Sequence, residues 1–240
     1  MSDHLAFLWH NLPNLLIGFP QNRPGGLLLS IWLAVVSLAL GFFVALAVGS
    51  GRAQSNKAIH WLCTAYVEVF RGLPLILLLF LIHQGVGGRR FGLNLSPYQS
   101  ALIALTLYTS AYQAEIIRAG LQNIPSQLVD SARLVGASAW RIYWQIKLRY
   151  VLRTMLPAFT GQAISLFKDT SVVVVLAVGE LLTVARTTLG SDVTNAPYWV
   201  SLFILVGLLY MAVALIASNT AKRWEKKHSS GDLVYSLANA

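Results

Sequence analysis

Four adjacent residues that can bind a charged solute stand within a long apolar stretch of the sequence. They are Lys168, Asp169, Thr170 and Ser171. An ammonium group, a carboxylate and two hydroxyls offer donors and acceptors side by side to a ligand that carries both charges. Ionisable side chains at bilayer depth are unfavourable, so each needs a partner or a function. The cluster is therefore a candidate solute site, or else an internal ion pair that holds helices in register.

A second polar cluster interrupts an earlier apolar stretch. Glu68 and Arg71 are three residues apart on one helical face and can form an ion pair, and Gly72 and Pro74 follow at once. Because proline removes a helical hydrogen bond and glycine relaxes the backbone, we predict that the helix bends or breaks here. Amides freed at such a break can hold a carboxylate. Arg71 and Gly72 are therefore candidate ligands, whereas Glu68 is interpreted as structural.

The elements that must position these clusters are membrane spans. The 240 residues are 56% hydrophobic and 11% charged, against about 25% charged in soluble domains, and the mean hydropathy is +0.61. Five apolar stretches reach the length of about 20 residues that a helix needs to cross a bilayer: residues 27–48, 59–82, 97–117, 156–182 and 198–218. We predict an all-α, polytopic membrane protein with about five transmembrane helices and a single domain over residues 1–240. Residues 5–19, with a break at Pro13, are predicted to lie along the membrane surface.

Basic residues indicate the orientation, because cytoplasmic loops are enriched in Lys and Arg. One set of flanks carries most of them: Arg52, Lys57, Arg118, Arg133, Arg141, Lys147, Arg149, Arg153, Lys222, Arg223, Lys226 and Lys227. The other set carries Arg23, Arg89, Arg90 and Arg186. We predict the N-terminus outside and the C-terminus inside, with Glu180 near the outer surface. Since the basic residues flank apolar runs, the formal charge of +9 does not indicate nucleic-acid binding.

The loop of residues 118–155 is longer than a turn between spans requires. Pro125 and Ser126 can open a helix, and Gly136 can end it. Apolar residues recur between them at helical spacing: Leu128, Val129, Ala132 and Val135. Trp, Tyr and basic residues then predict an interfacial helix over residues 140–151. On these features alone, anchoring of the helices to lipid is one open interpretation of the loop.

Some residues of this loop share the spacing of a known signature: Asp130, Ser131, Ala132, Gly136, Ile146 and Leu148. The pattern resembles that of bacterial ABC-importer permeases, which reads Glu-Ala-Ala, three residues, Gly, nine residues, Ile, one residue, Leu-Pro. Asp130 and Ser131 depart from it, and Arg149 stands where proline is usual. Residues 66–75, 111–120 and 164–171 resemble span motifs of the polar amino acid permease family. In the first of these, Leu73 stands where a threonine or a small residue is common.

The resemblance implies a permease subunit of an ATP-driven (ABC) amino acid importer in the bacterial inner membrane. It implies a second permease subunit, two cytoplasmic ATP-binding subunits and an external solute-binding protein as partners. In that family the loop docks on the ATPase as a coupling helix. Here that helix corresponds to residues 126–138, with four residues at its core: Asp130, Ser131, Ala132 and Gly136.

A free amino acid carries a carboxylate and an ammonium group on one carbon, so its site needs a cation beside an acceptor. The predicted substrate-binding residues are Arg71, Gly72, Leu73, Lys168, Asp169, Thr170 and Ser171. Arg71 or Lys168, with freed amides, is expected to receive the carboxylate. Asp169, with a neighbouring hydroxyl, is expected to receive the ammonium group.

Several enzyme motifs do not occur in the sequence. It contains no Gly-x-x-x-x-Gly-Lys-Ser/Thr loop, no His-Glu-x-x-His, no paired cysteines and no Gly-x-Ser-x-Gly. We predict that the chain is not itself an enzyme and holds no cofactor or metal, with ATP and Mg²⁺ on the partner ATPase. The competing hypothesis is a gradient-driven amino acid carrier or channel that uses Lys168 and Asp169 as a proton relay. An intramembrane hydrolase is less favoured, because no serine in the spans has a histidine at suitable spacing.

Overall fold

The computed structural model describes residues 2–22, 24–88 and 93–227. These residues form helices and turns without a β-strand, which confirms the all-α prediction. The α-helices are α1 Ser2–Ile17, α2 Gly26–Arg52, α3 Lys57–Gly72, α4 Leu75–Phe80, α5 Pro97–Gln122, α6 Ser126–Leu134, α7 Ala139–Arg141, α8 Leu148–Thr154, α9 Leu156–Asp169, α10 Leu181–Gly190 and α11 Trp199–Lys227. Arg23, Arg89 and Arg90, three of the basic residues on the predicted outer flanks, lie outside the described residues.

Each predicted span coincides with a helix or a broken helix. By length and composition, the described helices that can cross a membrane are Gly26–Arg52, Leu156–Leu176 and Val193–Glu225. The pair Lys57–Gly72 and Leu75–Val86 adds a fourth if it counts as one broken span. Helix α5 covers the remaining predicted span and is less apolar, because polar side chains such as Ser100, Thr109 and Gln113 are buried inside the protein.

The predicted break in the second span is confirmed. Helix α3 ends at Gly72, and α4 begins at Leu75. Pro74 lies between them with φ −59° and ψ 135°, an extended conformation that cannot continue a helix. The backbone amides of the first turn of α4 therefore lack helical carbonyl partners.

The fourth span ends earlier than predicted. A 3₁₀ helix, Thr170–Leu176, follows α9, and Ala177 then adopts the left-handed conformation with φ 54°. Residues 177–182 form a turn and the start of α10 instead of the end of the span. Glu180 is wholly buried, and its side chain caps α10 from inside the protein. Its depth near the outer face of the membrane stays a prediction.

Helix α1 is continuous through Pro13, so the predicted break does not occur. One side of α1 packs on the protein, with Leu15 fully buried, whereas Leu5 and Trp9 are 63% and 78% exposed. A helix on a membrane surface has such a two-sided pattern. Its location on the membrane surface stays a prediction.

The chain divides into two compact units. Unit 1 consists of Met1–Ala39, Leu73–Tyr108 and Ala163–Ile216. Unit 2 consists of Leu40–Gly72, Thr109–Gln162 and Ala217–Ala240. Several helices contribute residues to both units, and the single domain over residues 1–240 stays a prediction.

Each unit has its own apolar core. In unit 1 the core joins α1, α2, α9, α10 and α11 through buried residues that include Leu15, Phe167 and Leu202. In unit 2, Val67 of α3 packs with Ala114 of α5 and with residues of α2. Small residues bring these helices close: a Cβ at Gly49 would lie 2.7 Å from the Ala114 carbonyl oxygen.

Gly26, at the start of α2, is expected to be intolerant of substitution. Its φ is +58°, and a Cβ there would overlap the backbone carbonyl of Leu15. We expect Gly26→Ala to lower the thermal unfolding temperature in detergent, since the left-handed φ alone costs about 1–2 kcal/mol and the Leu15 backbone cannot move aside like a side chain. Gly207→Ala in α11 is the control, because no described atom lies within 4 Å of a Cβ added there. Equal melting of the two variants would contradict the prediction.

Candidate functional site

The predicted ligands of the fourth span lie where α9 changes into a 3₁₀ helix. Lys168 and Asp169 end α9, and Thr170 and Ser171 begin the 3₁₀ helix. Lys168 is exposed, Asp169 and Ser171 are half-buried, and Thr170 is fully buried. A change from 3.6 to about 3 residues per turn re-aims successive side chains. In this short segment the charged side chains are therefore at least partly accessible, whereas Thr170 lies in the protein interior.

Thr170 is the anchor of this segment. Its hydroxyl donates to the carbonyl oxygen of Phe167 at 2.7 Å, so it supports the backbone rather than offering a free group. Lys168 and Asp169 form no ion pair with another residue in the described part of unit 1. As direct neighbours in a helix they do not face each other. Within unit 1, the alternative of an ion pair that holds helices in register therefore has no support.

The predicted pair of Glu68 and Arg71 is not formed among the described residues. Glu68 Oε1 lies 3.7 Å from Nη2 of Arg52. The guanidinium carbon of Arg71 lies 5.2 Å from the centroid of the Tyr112 ring, a cation–π distance. Packing of neighbouring helices gives each charge a different partner from the one that spacing along α3 provides.

The remaining predicted ligands lie at the break between α3 and α4. Arg71 and Gly72 are exposed at the C-terminal end of α3 and belong to unit 2. Leu73 is partly buried and belongs to unit 1, as do the four residues of the fourth span. Along the chain, Arg71 stands four residues before the start of α4, and its role as a carboxylate ligand stays a prediction.

A charged cluster in unit 2 precedes α6. Arg118 Nη2 lies 2.5 Å from Glu115 Oε1, one helical turn away in α5. Arg52 also pairs with Glu115, and its Nε donates to Thr64 Oγ1 at 3.3 Å. The Arg52 side chain is 10% exposed, so these contacts are shielded from solvent. The cluster ties α2, α3 and the end of α5 together immediately before the chain turns into α6.

Helix α6 is shorter than the predicted helix of residues 126–138, because a Schellman motif ends it. The amide of Ala137 donates to the carbonyl of Ala132, and the amide of Gly136 donates to that of Arg133, both at 3.0 Å. Gly136 has φ +78°, a conformation that glycine adopts without strain. No described atom lies within 4 Å of a Cβ added at Gly136. The position therefore needs glycine for its backbone and leaves open space beside it.

The four predicted coupling residues do not share one face. Ala132 is 8% exposed and packs inside unit 2, whereas the other three are exposed. Two apolar residues at the end of α6, Leu134 and Val135, are 88% and 84% exposed, which the sequence pattern did not predict. Helical spacing places Val135 on the same face as Leu128 and Ala132 only if the helix continues to residue 135. Helix α6 ends at Leu134. Two apolar residues directly before a helix-ending glycine were the available signal.

An apolar groove in unit 1 is not a candidate site for a charged solute. Leu28 and Trp32 of α2, Tyr98 of α5 and Val178 line part of it. The lining contributed by described residues has no charged side chain. Ligand sites for polar solutes place a few polar groups so that they converge, and this groove does not.

Comparison with known proteins gives the family. Residues 37–227 match the family model of the binding-protein-dependent transport system inner membrane component. The chain belongs to this family. Membership confirms the resemblance stated from the loop and span motifs, and it identifies the chain as a membrane-spanning transport subunit.

This inner-membrane component has relatives among amino acid permeases. It is 33% identical to the probable glutamine ABC transporter permease protein GlnP of Bacillus subtilis (strain 168), over 95% of the chain and 96% of GlnP. It is 30% identical to the histidine/lysine/arginine/ornithine transport system permease protein HisM of Escherichia coli (strain K12), over 84% of the chain and 87% of HisM. A crystal structure of an amino acid ABC transporter with histidines has the same fold, with a TM-score of 0.78, 24% identity and coverage of 94% of this chain and 98% of that one.

Proposed function

We propose that the chain is the membrane-spanning permease subunit of an ATP-driven importer for amino acids. The observation that carries this proposal is the end of α6, where the exposed apolar side chains of Leu134 and Val135 precede the turn at Gly136. An adjacent exposed apolar pair in a loop outside the spans supports a surface that a partner subunit covers. The relatives GlnP and HisM are permease proteins of amino acid systems, which supports amino acids as the substrate class.

The proposed complex needs subunits that this chain does not supply. Since the sequence has no phosphate-binding loop, two ATP-binding subunits bind the ATP and Mg²⁺ and hydrolyse the nucleotide. A second permease subunit, like or unlike, completes the pathway through the lipid. A separate or fused binding protein on the outer side delivers the amino acid.

The proposed orientation places α6 in the cytoplasm. Arg52, Arg118 and Arg133 belong to the basic flanks at the same ends of the spans as α6. The N-terminus is then outside and the C-terminus inside the inner membrane. In this orientation the apolar end of α6 meets an ATPase where ATP is available.

The proposed solute ligands follow from the chemistry of a free amino acid. Lys168 attracts the carboxylate, and Asp169 and Ser171 receive the ammonium group. Thr170 shapes the segment through its bond to Phe167. Arg71, with the amides around Gly72 and Leu73, is a further carboxylate ligand by sequence.

Dependence on an ATPase distinguishes the importer from a gradient-driven carrier or channel. We expect the chain to co-purify with an ATP-binding subunit when the transporter's own subunits are co-expressed. Uptake of radiolabelled glutamine or histidine into proteoliposomes should then require ATP. The control is the same complex with the phosphate-binding lysine of the ATPase replaced. Uptake by the permease pair alone, driven by an ion gradient, would establish a carrier instead.

A further inference from the structure

Glu180 is a fully buried carboxylate in unit 1. It belongs neither to the proposed solute site nor to the exposed end of α6 that is proposed to contact the ATPase. It caps α10 by accepting hydrogen bonds from the amide of Leu182 at 2.9 Å and from the amide and hydroxyl of Thr183 at 2.7 and 3.0 Å. A helix N-terminus favours a negative charge. No Lys, Arg or His within the described ranges lies at ion-pair distance from Glu180. The carboxyl group is therefore held by hydrogen bonds alone among the described residues.

The same carboxylate joins α10 to two other helices. The hydroxyl of Tyr210 in α11 donates to Glu180 Oε2 at 3.0 Å, and Ser30 in α2 approaches the same oxygen at 3.4 Å. Ser30 Oγ also accepts from the amide of Leu181 at 3.2 Å. Because every group in this junction is buried or partly buried, loss of one partner leaves another polar group unsatisfied.

Tyr210 extends the junction to the proposed solute segment. Its ring lies 5.3 Å from the ring of Phe167. The hydroxyl of Thr170 donates to the carbonyl oxygen of Phe167. Tyr210 thus contacts the residue directly before the pair Lys168 and Asp169, and the residue directly after the pair is bonded to that same residue.

The far end of the segment is held as well. Ala177 ends the 3₁₀ helix with φ 54°, a conformation that a residue with a Cβ keeps only when its surroundings impose it. Glu180 follows three residues later, and its amide donates to the carbonyl of Val178 at 2.7 Å. The segment from Thr170 to Ala177 is therefore fixed at one end by the bond of Thr170 to Phe167, on which Tyr210 packs, and at the other end by the Glu180 cap.

We propose that Glu180 and Tyr210 are positioning residues that hold Lys168 and Asp169 in the orientation that binds the amino acid. The inference rests on the proposed function, because it assigns a supporting role to that solute site. Glu180 is enclosed by protein and does not touch the solute. It acts through Tyr210 and Phe167 on the charged pair that lies between Phe167 and Thr170.

Tyr210→Phe tests this proposal, because it removes the connecting hydroxyl and keeps the ring against Phe167. In the complete transporter in proteoliposomes, we expect the KM for uptake of radiolabelled glutamine or histidine to rise about tenfold, with kcat changed by less than about twofold. ATP hydrolysis without solute should be unchanged. Ser30→Ala is the matched control: it loosens the same junction on the α2 side, so it should lower the unfolding temperature and leave KM unaltered.

A second measurement keeps folding and positioning apart. Thr170→Val should raise KM as Tyr210→Phe does, and the double variant should show no further rise, because both substitutions break one connection. Additive effects would overturn the proposal, as would a lower unfolding temperature in Tyr210→Phe with an unchanged KM. An equal KM rise in Ser30→Ala would also overturn it.

Asp169→Asn, measured in parallel, separates this inference from the proposed function. If Asp169→Asn raises KM and Tyr210→Phe does not, only the positioning role fails. If Asp169→Asn leaves KM unchanged, the solute site itself is wrong, and the role of Glu180 and Tyr210 fails with it.

Discussion

Asp169→Asn and Lys168→Met are each expected to reduce amino acid uptake by about 10–100-fold at low solute concentration. Each substitution removes a charge and nearly preserves the shape of the side chain. A hydrogen bond to a charged group contributes about 1.5–3 kcal/mol, which corresponds to this range. The loss should appear in KM, because the interaction exists before transport begins. Initial uptake rates in proteoliposomes, measured over a range of solute concentrations, give both constants.

The stability of these variants separates a solute site from an internal ion pair. Since neither side chain forms an ion pair in the described part of unit 1, we expect their unfolding temperatures to match that of the parent. Lys57→Met is the control, because Lys57 is exposed at the start of α3 and far along the chain from the cluster. Variants that transport with the parent's KM would disprove the solute-site assignment.

The long elements could be predicted because lipid selects for them. Spans must be about 20 apolar residues long, and proline with glycine interrupts a helix through local sterics, so the break after Gly72 follows from the residues themselves. The end of the fourth span could not be predicted in this way. Ala177 has no local preference for φ 54°, so its sequence does not predict that the 3₁₀ helix ends there.

Spacing along one helix indicates the charge partner in one case and not in the other. Glu115 and Arg118 pair across one turn, as spacing indicates. Glu68 has an available neighbour at the same spacing and pairs with Arg52 instead, because packing of α2 on α3 decides the contact. Contacts between helices depend on the rotation of each helix about its axis and on its depth in the membrane. A single sequence determines neither of them directly.

The burial of Glu180 could not be predicted for the same reason. Its position after an apolar run and before Arg186 is typical of a polar outer rim, and the structure buries it completely. The partners that make this burial tolerable, Ser30 and Tyr210, are distant along the chain. A carboxylate two and three residues before amides that open a helix is a capping pattern, and it was the one signal available.

Gly136→Trp is expected to uncouple transport from ATP hydrolysis. The indole would occupy the open space next to the exposed end of α6, where the proposed ATPase surface lies. Uptake should fall by about tenfold or more, because a bulky side chain at a packed interface typically costs more than 1 kcal/mol and this one also strains the backbone. Solute-stimulated ATP hydrolysis should be lost, and binding of labelled solute by the detergent-solubilised complex should persist. Co-purification measures whether the ATPase is still attached.

Gly136→Asn distinguishes the effect of side-chain size from the effect of backbone conformation, since asparagine accepts left-handed φ better than other residues with a Cβ. Because the Schellman motif requires φ +78° at this position, Asn should preserve the turn and retain most of the coupling. If Trp and Asn impair coupling equally, the glycine is needed for its conformation alone and the space beside it does not face a partner. If neither variant affects coupling, α6 does not dock on an ATPase. The two variants thus assign the role of Gly136 to the turn itself or to the surface that the turn leaves open.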